Sequence, residues 1–333
     1  MARSITIEDL YQFKFLSRPR LSADGRQIAF VVTGIDARKH TYCPSIQVAP
    51  VDGGTAKQFI AGNSRSPAWS PDGRWLAYGF TGTRRKTAIK LCNVESGETF
   101  MATDPILKDY MPAFDPEGKY LYFLGERILN PVADNLHFEW SFPRGVKPYA
   151  IMLQRDLKSP FIPEPKAPGD KEKEKEKDKE QSKEEETEKA GENAEETAEG
   201  QDAAKKEAAD DNRPTPIVID LDGITRRAVP FPVAEGLYTR IRGIKGKALY
   251  LSFPIEGTIN QSLTGGHEPK GRIDSFEFET QKQEFLMDGV SHFDLSRDAK
   301  TLLYRSHSRL RVLKAGDKAP RGDSAERRFV ACF

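Results

Sequence analysis

The fold is decided by a short stretch, Pro67-Ala-Trp-Ser70-Pro-Asp72-Gly73-Arg-Trp-Leu-Ala-Tyr78. Proline fixes φ at the first central position of a turn, Asp can bond to its own backbone, and Gly tolerates positive φ. The apolar residues that follow alternate with a period of two, as in a half-buried strand. The stretch therefore predicts a β-hairpin, with a short strand before Ser70 and a longer strand after Gly73.

The same pattern recurs along the chain. Two strong and two weaker copies are Pro19-Arg-Leu-Ser22-Ala-Asp24-Gly25 through Phe30, Pro112-Ala-Phe-Asp115-Pro-Glu117-Gly118 through Phe123, Asp294-Leu-Ser296-Arg-Asp298 through Tyr304, and Ile241 through Leu251. The turn glycines Gly25, Gly73 and Gly118 are 48 and 45 residues apart. A single copy would fit an ordinary hairpin turn, but three strong copies at near-constant spacing indicate a structural repeat.

Each repeat also predicts two further strands. Ile46-Gln-Val48 and Ile89-Lys-Leu91 each lead to a glycine turn, and Lys57-Gln-Phe59 is a short fourth strand. Four short antiparallel strands per repeat form a propeller blade. We therefore predict an all-β fold, a partial β-propeller of about four to five four-stranded antiparallel blades. The spacing accounts for four blades and the start of a fifth.

A charged, low-complexity segment interrupts this pattern. Residues 170–211 contain 18 acidic residues and nine lysines, a net charge of −9, and their apolar residues are all Ala. The rest of the chain carries +10, although the total is only +1. Such a segment cannot bury a core, so we predict a long disordered charged insertion. It would be an exposed loop inside a blade, between strands at Ile151-Met-Leu153 and Ile217-Val-Ile219; an acidic interaction tail is the alternative.

The ends of the chain depart from the blade pattern. Thr6 is a candidate N-cap for a short amphipathic helix, with Glu8 and Asp9 in its first turn. No blade pattern follows Lys314, and residues 127–147 also lack it. The predicted organisation is a lead-in at 1–16, blades at 17–156, the insertion at 157–213, further blades at 214–316 and an irregular tail at 317–333.

Composition excludes several classes of protein. No apolar run is long enough to span a membrane, and the start lacks the apolar core of a signal peptide. Cys43, Cys92 and Cys332 are an odd number at wide spacing, which fits a reducing compartment. We expect a cytoplasmic protein with no membrane partner. We also expect no nucleic-acid partner, because the only basic clusters, Arg84–Lys86 and Arg226–Arg227, accompany no recognition motif.

The sequence shows no catalytic constellation. It has no Gly-x-Ser-x-Gly elbow, no phosphate-binding glycine loop and no His-Glu-x-x-His motif. The histidines are scattered, at His40, His137, His267, His292 and His307. His292 beside Asp294 and His307 beside Ser306 are expected to be surface or packing residues. Trp69, Trp75, Phe114, Tyr120, Tyr122 and Phe123 occupy repeat positions and are predicted to be core. We assign no catalytic, cofactor-binding or metal-binding residue.

Two segments resemble known families. The series Phe142-Pro-Arg-Gly-x-x-Pro-Tyr149, followed by Ser159-Pro-Phe161 and then the charged insertion, is similar to the propeller of tricorn-type serine peptidases. The resemblance covers roughly residues 100–316 well and 17–100 more generically. The start, Ile5-Thr-Ile-Glu-Asp-Leu10, also resembles acylaminoacyl-peptidases of the prolyl oligopeptidase group. Both families place a propeller before a serine hydrolase domain.

The resemblance implies a noncatalytic role for this chain. In tricorn-type enzymes the propeller is followed by helical, PDZ-like and serine-bearing domains, whose motifs are not present here. We therefore expect the propeller of an oligopeptide-hydrolysing serine peptidase, inactive alone, with the catalytic domain beyond Phe333. The tail after Gly316 departs from the family, which would fit a truncated or frameshifted product, and the sequence leaves open whether the chain end is natural. Its partners would be peptides in the propeller channel and the missing peptidase domains, with oligomerisation possible. The alternatives are a stand-alone protein-binding propeller and the propeller of an acylaminoacyl-peptidase.

Overall fold

The structure is a computed structural model of the 333-residue chain. It describes residues 6–83, 86–133, 138–162, 216–256, 270–319 and 329–330. The chain divides into two compact units, Met1–Phe161 with Arg213–Phe333 and, separately, Ile162–Asn212. Apart from Ile162, every described residue belongs to the first unit. Most of the predicted insertion, together with His137, His267 and Cys332, lies outside the described residues.

The first unit consists of β-strands grouped into blades of four, with a 3₁₀ helix at Ile7–Gln12. Blade 1 contains β1 Phe15–Leu21, β2 Gln27–Asp36, β3 Thr41–Pro50 and β4 Lys57–Ile60. Blade 2 contains β5 Ser64–Trp69, β6 Trp75–Thr83, β7 Lys86–Asn93 and β8 Thr99–Met101. Blade 3 contains β9 Lys108–Phe114, β10 Tyr120–Glu126, β13 Val146–Met152 and β14 Ala228–Pro230, with the hairpin β11 Val132–Ala133 and β12 Trp140–Ser141 between β10 and β13.

Two further blades follow. Blade 4 contains β15 Leu237–Ile244, β16 Lys247–Phe253, β17 Gly271–Glu277 and β18 Lys282–Val290. Blade 5 contains β19 His292–Leu295, β20 Thr301–Ser306, β21 Arg309–Lys314 and β22 Phe329–Val330. A second 3₁₀ helix, Ile224–Arg226, precedes β14. Pairing within every blade is antiparallel, so the predicted all-β propeller fold is confirmed, with five four-stranded blades.

The repeated turn forms the predicted hairpin, with the same hydrogen bonds in blades 1, 2 and 5. In blade 2 the Ser70 hydroxyl donates to Asp72 Oδ1 at 2.5 Å and accepts from the Trp75 backbone N–H at 2.9 Å. The equivalent pairs begin at Ser22 and Ser296. Gly73 takes φ +73°, a left-handed conformation that glycine adopts without the penalty of a side chain. The turn therefore has the same hydrogen bonds in blades 1, 2 and 5.

Four hydrophobic clusters fill the spaces between consecutive blades, as propeller packing requires. Their buried members include Ile46, Leu76 and Tyr78 between blades 1 and 2; Ile89, Leu121 and Phe123 between blades 2 and 3; Tyr122, Phe231 and Tyr250 between blades 3 and 4; and Leu249, Phe293 and Leu302 between blades 4 and 5. Burying a large apolar side chain stabilises by about 1.5–3 kcal/mol. The predicted core aromatics Phe114, Tyr122 and Phe123 are confirmed as buried, whereas Trp69, Trp75 and Tyr120 are half-buried.

The seam between blades 5 and 1 differs from these four. Within the described ranges, no hydrophobic cluster spans it. The two blades meet through the Arg20–Asp294 ion pair, at 2.5 Å. Their turns are also close, because a Cβ atom built on Gly25 would lie 2.7 Å from Arg297 Nη1. Polar contacts therefore hold this seam, where apolar packing holds the others.

The predicted strand at Ile217-Val-Ile219 is wrong. These residues form no strand, and the fourth strand of blade 3 is Ala228–Pro230. The reason is that their backbone bonds to residues distant in sequence: the Ile217 N–H donates to Asp72 Oδ2 at 2.9 Å, and the Asp220 N–H donates to Leu153 O at 2.9 Å. Both isoleucines still pack against the cluster between blades 2 and 3. The two isoleucines thus cover the core without pairing with a neighbouring strand.

Two other segments differ from the sequence prediction. Phe161, inside the range expected to be the insertion, packs against Phe231 with ring centroids 4.8 Å apart. It also contacts the rings of Phe276 and Phe278, so it belongs to the cluster between blades 3 and 4. The tail, expected to lack blade pattern, supplies β22, whose residues pair with Leu310 and Arg311.

The predicted lead-in helix is a 3₁₀ helix, in which Asp9 Oδ2 accepts from the Thr6 N–H at 2.8 Å.

Candidate functional site

The first strands of the five blades converge on one another; we call β1, β5, β9, β15 and β19 the inner strands. Arg18 Nη1 on β1 donates to Met111 Sδ on β9 at 2.9 Å, and the Ser66 hydroxyl on β5 donates to the same sulfur at 3.5 Å. Asp294 on β19 links β1 to β15 through its arginine partners. Side chains from all five blades therefore meet at the inner strands.

β-Bulges on the inner strands contribute to this arrangement. The registers of β1, β5, β9 and β15 each shift by the insertion of extra residues. Arg18, Ser66 and Met111 lie at three of these bulges, with φ values of +54°, +55° and +56°. Each is followed by proline, which has no N–H to leave unpaired where the ladder is broken. A bulge bends its strand and changes the direction of side chains, here toward the neighbouring inner strands.

Asp294 is the centre of a shared ion pair. Its Oδ2 accepts from Arg20 Nη1 at 2.5 Å and from Arg240 Nη1 at 3.0 Å, and its Oδ1 accepts from Arg242 Nε at 2.9 Å. The Arg240 side chain is only 7% exposed. One carboxylate of blade 5 therefore contacts three guanidinium groups, one from blade 1 and two from blade 4.

Arg18 and Arg65 complete what we call the arginine cluster: Arg18, Arg20, Arg65, Arg240 and Arg242. Burial lowers the pKa of Arg18, with smaller effects from the charges of Arg242 and Arg65. In the part of the chain that the structure describes, no carboxylate contacts either residue. Arg18 donates only to the Met111 sulfur, and a thioether is a weak acceptor. Of the five arginines, Arg20, Arg240 and Arg242 thus contact the carboxylate of Asp294.

The pKa values reflect this charge imbalance. Burial, together with Arg242, lowers the pKa of Arg240 to about 9. Burial lowers the pKa of Arg18 and of Arg20 as well, assisted in both cases by Arg242. Burial alone would raise the pKa of Asp294, but the three guanidinium groups outweigh it and hold that pKa well below its usual range. The cluster therefore favours a negative charge at its centre.

His292, on the same strand as Asp294, contributes no charge at neutral pH. Burial and the neighbouring Arg240 lower its pKa to about 4. Both carboxylate oxygens of Asp294 accept hydrogen bonds from arginines, and none of these bonds involves His292. His40 and His307 are exposed; His40 contacts the Tyr11 hydroxyl at 3.0 Å, and His307 contacts the Ser306 hydroxyl at 3.3 Å.

A second ion pair on an inner strand is structural. Arg127 donates two hydrogen bonds to Asp109, at 2.7 and 2.6 Å, and Asp109 is 2% exposed. The guanidinium lies 5.1 Å from the ring centroids of both Phe123 and Tyr149, which stack on each other. The Pro-Tyr149 end of the motif quoted above thus provides an aromatic surface for Arg127. This pair is self-contained, with its charges balanced.

The sequence alone did not identify the arginine cluster. The signal it offered was the recurrence of arginine just before the repeated turn, as Arg18-Pro-Arg20, Arg65-Ser-Pro67 and Arg240-Ile-Arg242. The bulges shift the register of each strand, so the arginines occupy different positions relative to their turns. Within the described residues, no three His, Cys, Asp or Glu side chains are grouped to hold a metal ion. Cys43 and Cys92 are free thiols.

The propeller has clear relatives among known proteins. Residues 55–316 match the model of the tricorn protease second beta propeller domain. The chain belongs to that family. This decides between the two resemblances in favour of the tricorn-type peptidases. The match runs from the end of blade 1 to the third strand of blade 5, and so includes Arg65, both arginines of β15 and Asp294 but not Arg18 or Arg20.

Individual relatives agree with the family assignment. The chain is similar to tricorn protease homolog 1 of Streptomyces coelicolor, with 31% identity over 79% of this chain and 22% of that protein. It is also similar to the tricorn protease homolog of Saccharolobus solfataricus, with 31% identity over 75% of this chain and 19% of that protein. The crystal structure of the tricorn protease matches with a TM-score of 0.64, 21% identity and coverage of 90% of this chain and 25% of that one. The chain thus spans about a fifth of the curated relatives.

Among the residues described, no helix is long and apolar enough to cross a membrane.

Proposed function

We propose that this chain is the substrate-gating propeller of a cytoplasmic serine peptidase that hydrolyses oligopeptides. The nucleophilic serine, its base and the oxyanion hole would lie in domains beyond this chain. The propeller would be inactive alone and would admit extended peptides to those domains along its inner strands. Support comes from membership of the tricorn second-propeller family.

The observation that carries the proposal is the convergence of the inner strands. Polar side chains from five blades meet there, whereas the spaces between consecutive blades are filled by apolar clusters. Polar groups that are not all satisfied by one another can bond to a passing peptide backbone without reading its sequence. A surface that guides oligopeptides of different sequences must bind them without depending on their side chains.

Photo-crosslinking tests the proposal on the full chain. An extended decapeptide carrying one benzoylphenylalanine is bound, irradiated and mapped by mass spectrometry, with the same peptide lacking the photoreactive group as the control. We expect crosslinks on the inner strands β1, β5, β9 and β15. Crosslinks confined to the outermost strands β4, β8, β14 and β18 would exclude passage along the inner strands.

The catalytic half of the proposal has a separate test. The chain is incubated with fluorogenic oligopeptides and with a fluorophosphonate that labels activated serines, and a commercial serine peptidase serves as the positive control. We expect neither hydrolysis nor labelling, because the activated serine belongs to another domain. Labelling of a serine in this chain would overturn the assignment of catalysis to domains beyond it.

A further inference from the structure

We propose that the hairpin β11–β12 binds extended peptides through their alternate apolar side chains, beside the starts of inner strands β9 and β15. The binding surface is what we call the aromatic stripe: Phe138, Trp140 and Phe142. Its ligand is an extended peptide segment with an apolar residue such as Leu or Phe at every second position. This deepens the proposed function and rests on it, because the ligand is the peptide that the propeller would guide.

The aromatic stripe is a group of large apolar side chains in contact with water. Phe138 is 87% exposed, Trp140 66% and Phe142 53%. None of the three belongs to the hydrophobic clusters that the described residues form. Single exposed apolar residues are ordinary, but a contiguous group of them marks an interaction site, and aromatic residues contribute most to such sites. The stripe therefore indicates a binding surface.

The three rings share one face of the hairpin. They occur at every second position, alternating with Glu139 and Ser141. On β12, Trp140 lies opposite Ala133 of β11 in an antiparallel pair. Successive side chains of a strand point to opposite faces, so the polar residues lie on the other face. An extended peptide has the same period of two, so its alternate side chains can meet the alternate rings.

The hairpin also has a free edge for the peptide backbone. In the part of the chain that the structure describes, β12 pairs with β11 alone, so the sheet has two strands. An extended peptide can add to such an edge as a third strand, through main-chain hydrogen bonds. A two-stranded hairpin is marginally stable in water, whereas a third strand and a covered hydrophobic face stabilise it. Peptide binding should therefore also stabilise the hairpin.

Two polar contacts place the base of the hairpin beside the inner strands. Glu126, the last residue before the segment that carries the hairpin, pairs with Lys108, the first residue of β9, at 2.6 Å. Within that segment, Asn130 Nδ2 donates to Glu235 Oε1 at 2.7 Å, two residues before β15 begins. A peptide held by the stripe is thus next to the starts of β9 and β15, which belong to the proposed peptide route.

Exposed leucines extend the apolar surface toward the same two strands. Leu107 immediately precedes β9, Leu129 leads to the hairpin and Leu237 is the first residue of β15; they are 46%, 81% and 42% exposed. The apolar surface therefore continues from the hairpin to the inner strands. This continuity favours a peptide that passes on along those strands over a second copy of the chain as the occupant of the stripe.

Peptide binding to the full chain tests the stripe. Three fluorescein-labelled nonapeptides are compared by anisotropy: Leu alternating with Ser, the same composition with the leucines in one block, and Asn in place of every Leu. We expect the alternating peptide to bind at least about tenfold more tightly than the Asn peptide, because its leucines leave water on binding. The block peptide should bind more weakly than the alternating one, since it has the same composition without the period.

Tryptophan fluorescence reports where the peptide binds. Of the three tryptophans, Trp69 and Trp75 are half-buried and Trp140 is exposed. The alternating peptide should shift the emission to shorter wavelengths, because the ring of Trp140 becomes covered. Trp140→Phe keeps an aromatic ring, so we expect it to retain peptide binding and to lose this shift. Binding without a shift in the wild type would place the peptide elsewhere.

Variants assign the preference to the stripe. In the double variant Trp140→Ser with Phe142→Ser, we expect the alternating peptide to lose about tenfold in affinity while the Asn peptide binds as before. Trp140→Ser alone should lose part of the preference and keeps the test valid if the double variant fails to fold. Tyr42→Ser is the matched control, because Tyr42 is an aromatic residue of blade 1 with a similar exposure of 62%.

The outcomes separate this inference from the proposed function. Equal binding of all three peptides, unchanged in the stripe variants, would refute the stripe while passage along the inner strands stands. If none of the peptides binds, both proposals fail. A preference that Tyr42→Ser reduces as much as Trp140→Ser does would overturn the assignment to the stripe. If light scattering shows a dimer that the double variant converts to a monomer, a second copy occupies the stripe and the proposal is wrong.

Discussion

Replacing Asp294 by Asn should destabilise the propeller, because three arginines lose the charge that they share. The substitution keeps the shape of the side chain but removes the one carboxylate that, among the described residues, contacts Arg20, Arg240 and Arg242. Removing one partner of a buried ion pair costs about 3–5 kcal/mol, because the remaining charges stay buried without a counterion. Since Asp294 and Arg20 are each 26% exposed, we expect the lower end of that range, about 3 kcal/mol.

Urea unfolding, followed by intrinsic fluorescence, measures this loss. The matched control is Asp222→Asn, whose carboxylate is 90% exposed and pairs with Arg155 at 2.9 Å; such exposed pairs contribute about 0–1 kcal/mol. Hydrogen exchange gives a second readout. Because Asp294 joins blade 5 to blade 1 across a seam without an apolar cluster, protection should fall first in β19 and β1. Equal losses for Asp294→Asn and Asp222→Asn would refute the reasoning.

The pH dependence of this loss has a definite sign. The pKa of Asp294 in the folded protein lies well below its ordinary value of about 4, so its stabilising contribution is fully present above pH 4 and declines as the pH falls below it. The difference in unfolding free energy between the wild type and Asp294→Asn should therefore be smaller at pH 3 than at pH 7. A difference that stays constant over this range would show that the ion pairs are not its source.

Three further predictions concern the turns and the second ion pair. Burial raises the pKa of Asp115 to about 6, so the wild type should lose about 2–3 kcal/mol relative to Asp115→Asn as the pH rises from 4 to 7, measured by urea unfolding. Gly73→Ala should cost about 1 kcal/mol and Ala299→Gly should gain a similar amount, because both turn positions have positive φ; thermal melting compares them. Arg127→Ala should cost about 3 kcal/mol, because Asp109 stays buried without its partner; a loss below about 1 kcal/mol would make the pair dispensable.

The sequence was sufficient for the fold because the repeated turn is a local structure. Ser70, Asp72 and Gly73 make their defining contacts within five residues, so each copy could be recognised without knowing the rest of the molecule. The error at Ile217-Val-Ile219 arose because the contact that decides its structure is not local. The three apolar residues resemble a strand, but the Ile217 N–H bonds to Asp72, 145 residues away.

The arginine cluster could not be predicted from the sequence, for a related reason. Its central contact joins Arg20 to Asp294 across 274 residues, and no pattern along the chain connects them. The bulges at Arg18 and Ser66 add extra residues to the strands, so counting back from the turn does not align the arginines of different blades. Only the folded arrangement shows that arginines from blades 1 and 4 share one carboxylate from blade 5.

Asp294 has two roles in the arginine cluster. It supplies one negative charge that Arg20, Arg240 and Arg242 share, and with Arg20 it joins blades 5 and 1, a seam that no apolar cluster of the described residues crosses. If these ion pairs hold the seam, their loss should release blade 5 from blade 1 before the apolar spaces between the other blades open. Hydrogen exchange in Asp294→Asn should therefore be faster in β19 and β1 than in the wild type, with little change in β5 and β9. An equal increase in all four strands would show that the ion pairs do not act on the seam alone.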